Sequence, residues 1–286
     1  MICLKTALNN AVHNLNPLIS KGGNPRLEAE LLLCAVLNRP RSYLATWPER
    51  PLSVSQKAAY NKLVQRRKNG EPIAYILGYK DFWTIKLHTT KDVLIPRPET
   101  ELLVEIALQL HPTNKALEIL DLGTGSGAIA LALATERPTW RIHATDIAKA
   151  ALAITSYNAQ MLNQPIQIHL GNWYTALPSQ LRFDLIISNP PYIAENDPHL
   201  TQGDLAWEPQ QALIAGIDGL EALRTLCNQC TQYLKPGGTI LLEHGYNQAV
   251  AVRTLLQRAG LTNIQTWRDL IRYERVTGAL FDTISN

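Results

Sequence analysis

Ile119-Leu120-Asp121-Leu122-Gly123-Thr124-Gly125-Ser126-Gly127 is the stretch on which the reading of this chain turns. A short apolar run enters three glycines at alternate positions, and an Ala/Ile/Leu-rich segment comes next. That order spells strand, turn and helix. Glycine accepts positive backbone torsions and lets a ligand come close to the main chain. A turn at the carboxyl end of a first strand is also where open α/β sheets bind ligands. The spacing is Gly-x-Gly-x-Gly, which differs from the Gly-x-Gly-x-x-Gly of dinucleotide folds and lacks the Gly-Lys-Ser/Thr ending of a P-loop. Taken alone, the turn is equally compatible with a strand–helix connection that holds no ligand.

Downstream, strand-like runs at 117–122, 141–145, 166–170, 184–188 and 239–243 alternate with helical patterns at 126–136, 148–162 and 219–234. Such alternation implies a parallel sheet covered on both faces. Two extended runs within 264–280 are placed to close one edge. The second strand ends in Asp146, whose carboxylate can accept bonds from both ribose hydroxyls of an adenosine. Capping of the helix that starts at 147 or 148 is equally good chemistry for it. After the third strand, Asn172-Trp173 offers a polar group and a ring to hold and stack on adenine, with core packing as the competing role for Trp173. Three strand ends in order therefore read as a nucleoside site. The pattern resembles the fold of S-adenosylmethionine-dependent methyltransferases, an α/β, Rossmann-like architecture. This implies S-adenosyl-L-methionine as cofactor and S-adenosyl-L-homocysteine as product.

The fourth strand delivers Asn189-Pro190-Pro191-Tyr192 to the same rim. Two prolines fix the backbone and remove two N–H donors. The Asn189 side-chain oxygen and the Pro190 carbonyl can then accept both hydrogens of one NH2 group, with Tyr192 on its flat face. A conjugated nitrogen is a poor nucleophile because its lone pair is delocalised. Holding both hydrogens aims that lone pair and stabilises the charge that develops on nitrogen. No strong base is needed. By chemistry alone the motif serves a glutamine amide or an adenine amine equally well.

Upstream, residues 2–20 and 25–38 carry apolar positions at helical spacing, with Asn24 as cap and Pro25 in the first turn. A third helix opens at Ser53-Val54-Ser55-Gln56, which has capping-box spacing, and ends near Gly70. Its basic residues Lys57, Lys62, Arg66, Arg67 and Lys68 read foremost as a solvated face. Alternation across 79–95 predicts a hairpin joining two domains, and Pro96–Glu101 opens a further helix through Leu110. The boundaries expected are a helical domain at 1–78, a hairpin linker at 79–95 and a catalytic domain at 96–286.

The chain has 286 residues, a net charge of +3, 46% hydrophobic and 18% charged residues. That composition supports a core and excludes a disordered polymer, while the charge excess is small for a dedicated DNA binder. Cys227 and Cys230 form a C-x-x-C inside a helical pattern with no second ligand pair, so reduced core thiols are expected and no metal. His143, His169 and His244 show no ligand spacing. No apolar run approaches the ~20 residues that span a bilayer, and the first residues lack a signal-peptide arrangement. A cytoplasmic protein is expected.

Several segments together resemble the release-factor glutamine methyltransferase family over nearly the whole chain. They are Val93 through Glu101, Asp121 through Ala130, Asp146, Asn172-Trp173, Ser188 through Ile193, Glu208-Pro209, Ala212-Leu213, Gly216 and Asp218-Gly219-Leu220. The resemblance implies methylation of the glutamine side-chain amide in the Gly-Gly-Gln motif of class I peptide-chain release factors, by a monomer with no stable nucleic-acid binding. It implies cofactor contacts at Gly123, Thr124, Gly125, Ser126, Gly127, Asp146, Trp173 and Asn189, and assigns Asn189, Pro190, Pro191 and Tyr192 to the glutamine. The helical domain becomes a surface for the release factor. Asp269–Arg275 departs from the pattern by lacking a glycine between the aspartate and the arginine, which puts the shape of that loop in question. A ribosomal-protein glutamine methyltransferase, a DNA adenine-N6 methyltransferase and an inactive ribosome-associated module are the alternatives. The first two share the motif; intact Asp146 and Asn189 speak against the third.

Overall fold

The computed structural model describes residues 2–16, 23–111 and 115–282. Contacts divide the chain into two units, Met1–Gly78 with Thr201–Trp207, and Tyr79–Leu200 with Glu208–Asn286.

The first unit is built from α1 (Leu4–Leu15), α2 (Pro25–Leu37), α3 (Arg41–Thr46), α4 (Val54–Lys68) and α5 (Ile73–Leu77). The part of the first predicted helix beyond Asn16 lies outside the described residues. Both anticipated caps form. The Asn24 side chain accepts from Leu27 N–H, and Ser53 and Gln56 satisfy each other's backbone donors in a full capping box. Leu4, Leu8, Leu15, Leu32, Leu33 and Tyr60 fill the core, where the Tyr60 hydroxyl donates to the Ala29 carbonyl at 3.0 Å. The short helices α3 and α5 are not legible in sequence, because one or two turns carry too few residues to show a period.

Arg67 departs from the expected solvated face. Its guanidinium donates to Glu28 at 2.8 Å and to Asp204 at 3.2 Å, and its side chain is only 14% exposed. Asp204 belongs to Thr201–Trp207, so this arginine ties that distant segment into the first unit. Arg66 pairs with Glu71, whereas Lys57, Lys62 and Lys68 do face solvent.

In the second unit a hairpin of β1 (Tyr79–Phe82) and β2 (Ile85–His88) precedes α6 (Glu101–Leu110). Phe82, Ile85 and Leu87 sit in this unit's core, so the hairpin packs as part of it. It ends at His88, short of the predicted residue 95. Next come β3 (Glu118–Leu122), α7 (Ala128–Glu136), β4 (Arg141–Asp146), α8 (Lys149–Met161), β5 (Gln167–Leu170) and β6 (Phe183–Ser188). The chain closes with α9 (Glu221–Gln229), β7 (Leu234–Glu243), α10 (Ala249–Arg258), β8 (Thr262–Arg268) and β9 (Glu274–Phe281).

The sheet order is β5-β4-β3-β6-β7-β9-β8. Strands β3 to β7 run parallel, and β9 is antiparallel to both neighbours, so the sheet is mixed and not wholly parallel. The two C-terminal runs do close an edge. β3 lies inside the sheet between β4 and β6, with Ile119, Leu120, Asp121 and Leu122 fully buried. Helix α7 is buried almost all round, from Ala128 to Ala134, as a helix apolar on every side must be. Its alanines allow close approach to the sheet. The expected helix at 219–234 is shorter, because β7 already begins at Leu234 and takes in Lys235-Pro236-Gly237-Gly238 ahead of the predicted strand. A register shift opposite Phe183 accommodates the extra residues.

Candidate active site

The carboxyl ends of β3, β4, β5 and β6 meet at one cleft, lined among others by Gly123, Gly125, Asp146, Trp173, Asn189 and Pro191. The three glycines of the turn each have positive φ, for different reasons. A Cβ on Gly127 would strike Leu131 at 2.9 Å, and one on Gly123 would press Trp173 at 3.1 Å. In front of Gly125 nothing lies within 4 Å. Gly127 is therefore a packing glycine, while Gly125 is open to the cleft. Thr124, Ser126 and Gly127, expected at the cofactor, do not reach the cleft wall. Thr124 instead donates to buried Asp121 at 2.6 Å, and the Ser126 carbonyl accepts from Asn158.

Asp146 joins two structural tasks. One carboxylate oxygen accepts from Ala148 N–H and the other from Gly125 N–H, both at 2.9 Å. This fixes the glycine turn against the end of β4. Burial pushes the carboxyl pKa up, opposed by these backbone donors. An ionised carboxylate has about four acceptor positions, so capacity remains for hydroxyls in the cleft. Trp173 holds a left-handed backbone, φ 49°, which is uncommon for a bulky residue and clusters at ligand sites. Its ring stands over Gly123.

Asp121, part of the turn stretch but without a role legible in sequence, supports the floor. It is fully buried, with Oδ2 accepting from Thr124 and from Ala130 N–H, while Oδ1 has no partner. Burial raises its pKa to about 7.

At the end of β6, the Ser188 hydroxyl donates to the Leu122 carbonyl at 2.6 Å, pinning the strand to β3. The Asn189 side-chain NH2 donates to the Thr100 hydroxyl at 2.9 Å. Its Oδ1 is left as an acceptor. Pro190 is buried and Pro191 reaches the cleft. The Tyr192 hydroxyl points inward and donates to Glu243 at 3.2 Å, so this tyrosine is anchored from below. Burial first, then the neighbouring Glu243 charge, raises the phenol pKa. The Tyr192 carbonyl accepts from Gln248 at 3.0 Å, and Gly219 approaches so closely that a Cβ there would lie 2.4 Å from that oxygen. Two further segments, Asp92–Leu94 and Pro209–Ala212, form cleft walls that sequence reasoning missed. Glu208 braces them by accepting from Ile95 N–H at 3.2 Å and from Arg97. In sequence both fall largely within runs of the family pattern that carry no assigned place, and that pattern was the one signal pointing to them.

Cys227 and Cys230 are free and buried, and burial drives both thiol pKa values up, to about 12 at Cys230. Among the described residues no group of His, Cys, Asp and Glu is placed to hold a metal, and no helix is long and apolar enough to cross a membrane.

Residues 6–78 match the PrmC N-terminal domain family, and residues 98–208 match the methyltransferase small domain. Among solved structures the fold is similar to a methyltransferase from Pyrococcus furiosus, at TM-score 0.55 and 15% identity, covering 76% of this chain and 97% of that one. It is also similar to the T. thermophilus 16S rRNA N2 G1207 methyltransferase in complex with AdoMet and guanosine, at TM-score 0.55 and 20% identity, covering 71% and 49%. Sheet and glycine turn thus define a chain of the methyltransferase fold. Full-length relatives narrow this further. The release factor glutamine methyltransferase of Bordetella pertussis is 48% identical over 92% of this chain and 98% of its own length. That of Vibrio cholerae is 44% identical over 99% and 98%, and that of Coxiella burnetii 47% over 96% and 98%. The chain belongs to the release factor glutamine methyltransferase family.

The cleft suits S-adenosylmethionine by its shape and its polar groups. The open space before Gly125 admits a ligand to the main chain, the Asp146 carboxylate suits a ribose diol, and Trp173 offers a flat apolar wall.

Proposed function

We propose that this chain is an S-adenosylmethionine-dependent protein-(glutamine-N5) methyltransferase that modifies the Gly-Gly-Gln glutamine of class I release factors and so tunes translation termination. When bound, S-adenosylmethionine supplies an electrophilic methyl group. Asn189 and Pro190 present acceptors to the two hydrogens of the glutamine amide, which aims the nitrogen lone pair and offsets the charge developing on it. Pro191 and Tyr192 complete the wall around that amide. Gly123, Gly125, Asp146 and Trp173 hold the nucleoside and amino-acid parts of the cofactor, and Thr124, Ser126 and Gly127 shape the turn that does so. The helical unit, 1–78, carries the surface that holds the release factor. We place the enzyme in the cytoplasm as a monomer without stable nucleic-acid binding.

The observation that carries the reading is the state of Asn189. Its NH2 end is engaged by Thr100, so an oxygen and not a donor is left for an incoming amide. An adenine amine would satisfy the same acceptor, but the family match over the full chain favours the protein substrate. The purified protein with methyl-labelled S-adenosylmethionine is expected to label a full-length release factor on that glutamine. Asn189→Ala should abolish transfer and leave cofactor binding largely intact. Label on DNA adenine with none on the release factor would overturn the assignment.

A further inference from the structure

An amide side chain has two ends of nearly equal size and opposite hydrogen-bonding character. A reversed Asn189 would point its NH2 at the NH2 of the substrate, donor against donor. Something must therefore hold one orientation, and the Asn-Pro-Pro-Tyr motif contains no group that does so.

The structure supplies one outside the motif. Thr100, 4% exposed, accepts the Asn189 NH2 at 2.9 Å from a position 89 residues earlier in the chain. Its hydroxyl also neighbours the carboxylate of Glu243, to which it can donate. Glu243 is 1% exposed and stands at the end of β7. It takes the Tyr192 hydroxyl on Oε1, and its Oε2 is buried with no hydrogen-bond partner. A hydroxyl has a single hydrogen. With that hydrogen given to the carboxylate, Thr100 faces Asn189 with lone pairs alone, and only the NH2 end of the amide can meet them.

We infer that Thr100 and Glu243 are positioning residues, which together set the Asn189 amide with its oxygen toward the acceptor nitrogen and steady Tyr192 from the same carboxylate. The chain of dependence runs from Glu243 to Thr100 to Asn189. Neither of the first two touches substrate. The inference rests on the proposed amide acceptor for its purpose, and on the Asn189–Thr100 and Tyr192–Glu243 hydrogen bonds for its existence.

Protonation of Glu243 would reverse the logic. A carboxylic acid no longer demands the Thr100 hydrogen, which becomes available to the Asn189 oxygen and permits the flipped amide. Burial raises the Glu243 pKa to about 7, while the Thr100 hydroxyl, the Arg275 charge and the Tyr192 hydroxyl oppose this and Glu99 adds to it. Turnover should accordingly fall as pH drops through about 7, with cofactor binding unchanged.

The test compares wild type, Thr100→Val and Thr100→Ser. Valine keeps the shape of threonine and removes the acceptor; serine restores it. In protein labelled with 15N-asparagine, the Asn189 side-chain NH2 signals, assigned by their loss in Asn189→Ala, should move in Thr100→Val and return in Thr100→Ser. With release factor as substrate, kcat should fall roughly 10- to 100-fold in the valine variant and recover in the serine variant. Its acid limb should flatten, and S-adenosylmethionine affinity measured by calorimetry should hold. Unmoved NH2 signals, wild-type kcat in Thr100→Val, or loss of cofactor binding with kcat would each overturn the inference. If the NH2 signals behave as expected but wild type leaves release factor unmodified, the orientation device stands and the substrate assignment fails.

Discussion

Individual residues in this protein hold backbone shapes that their side chains do not favour. Arg272 is the plainest. It lies in the left-handed region at φ 73°, within the loop where a glycine is expected from the sequence. The loop keeps its turn because Asp269 accepts from the backbone N–H of both Ile271 and Tyr273, and the Arg272 N–H donates to the Asp269 carbonyl. The turn is thus made with an arginine in the left-handed region, at a cost in torsional strain. Arg272→Gly should raise stability by about 1 kcal/mol, after the extra unfolded-state entropy of glycine is set against relief of the torsion. A rise in the urea midpoint would show it. A lower midpoint would mean that the arginine side chain stabilises more than its backbone costs.

At the scale of elements, the segment beyond β6 is held by close main-chain approaches that only glycine permits. Gly219→Ala forces a Cβ to 2.4 Å from the Tyr192 carbonyl and also imposes an unfavourable torsion. Gly237→Ala, at φ 78° with open space around it, imposes the torsion alone. The first should cost about 1–3 kcal/mol more than the second, and should lower turnover as well, because Tyr192 moves. Equal losses in both variants, with equal activity, would show that the approach to Tyr192 is unimportant.

Across the whole molecule, buried titratable groups pull stability in two directions. Burial lowers the pKa of His111, His143, His169 and His244. Below about pH 6.5 the unfolded chain binds more protons at these sites, so their contribution is present above that pH and lost as pH falls. Asp121 and Glu243 do the opposite. Their folded pKa values near 7 exceed the ordinary 3.8 and 4.5 of these carboxyls, so their contribution is full below those values and is lost as pH rises through about 7. Glu243→Gln removes one such group. The stability of wild type minus that of Glu243→Gln should therefore decline by about 1–3 kcal/mol between pH 5 and pH 8, measured by urea unfolding. A difference that is flat or rises with pH would refute the raised carboxyl.

What the sequence determined by itself was whatever local chemistry enforces. The glycine spacing after β3, the Ser53–Gln56 capping box, the Asn24–Pro25 helix start and the alternation of strands and helices all depend on torsions and bonds within a few residues. Such features are written where they act. Short helices stay hidden because their period is too brief to see, and β7 reads too short because proline and glycine ordinarily mark a turn. Tertiary structure decided the rest. Only the folded molecule shows that Arg67 is half-buried between Glu28 and Asp204, that Thr124 serves Asp121, and that the Tyr192 hydroxyl points down to Glu243. The orientation of Asn189 belongs to the same class. Its partner Thr100 lies 89 residues away, and the two meet because parallel strands bring their carboxyl ends, and the segments that flank them, to one rim. No periodicity or spacing encodes that meeting, since it arises from which strands lie side by side.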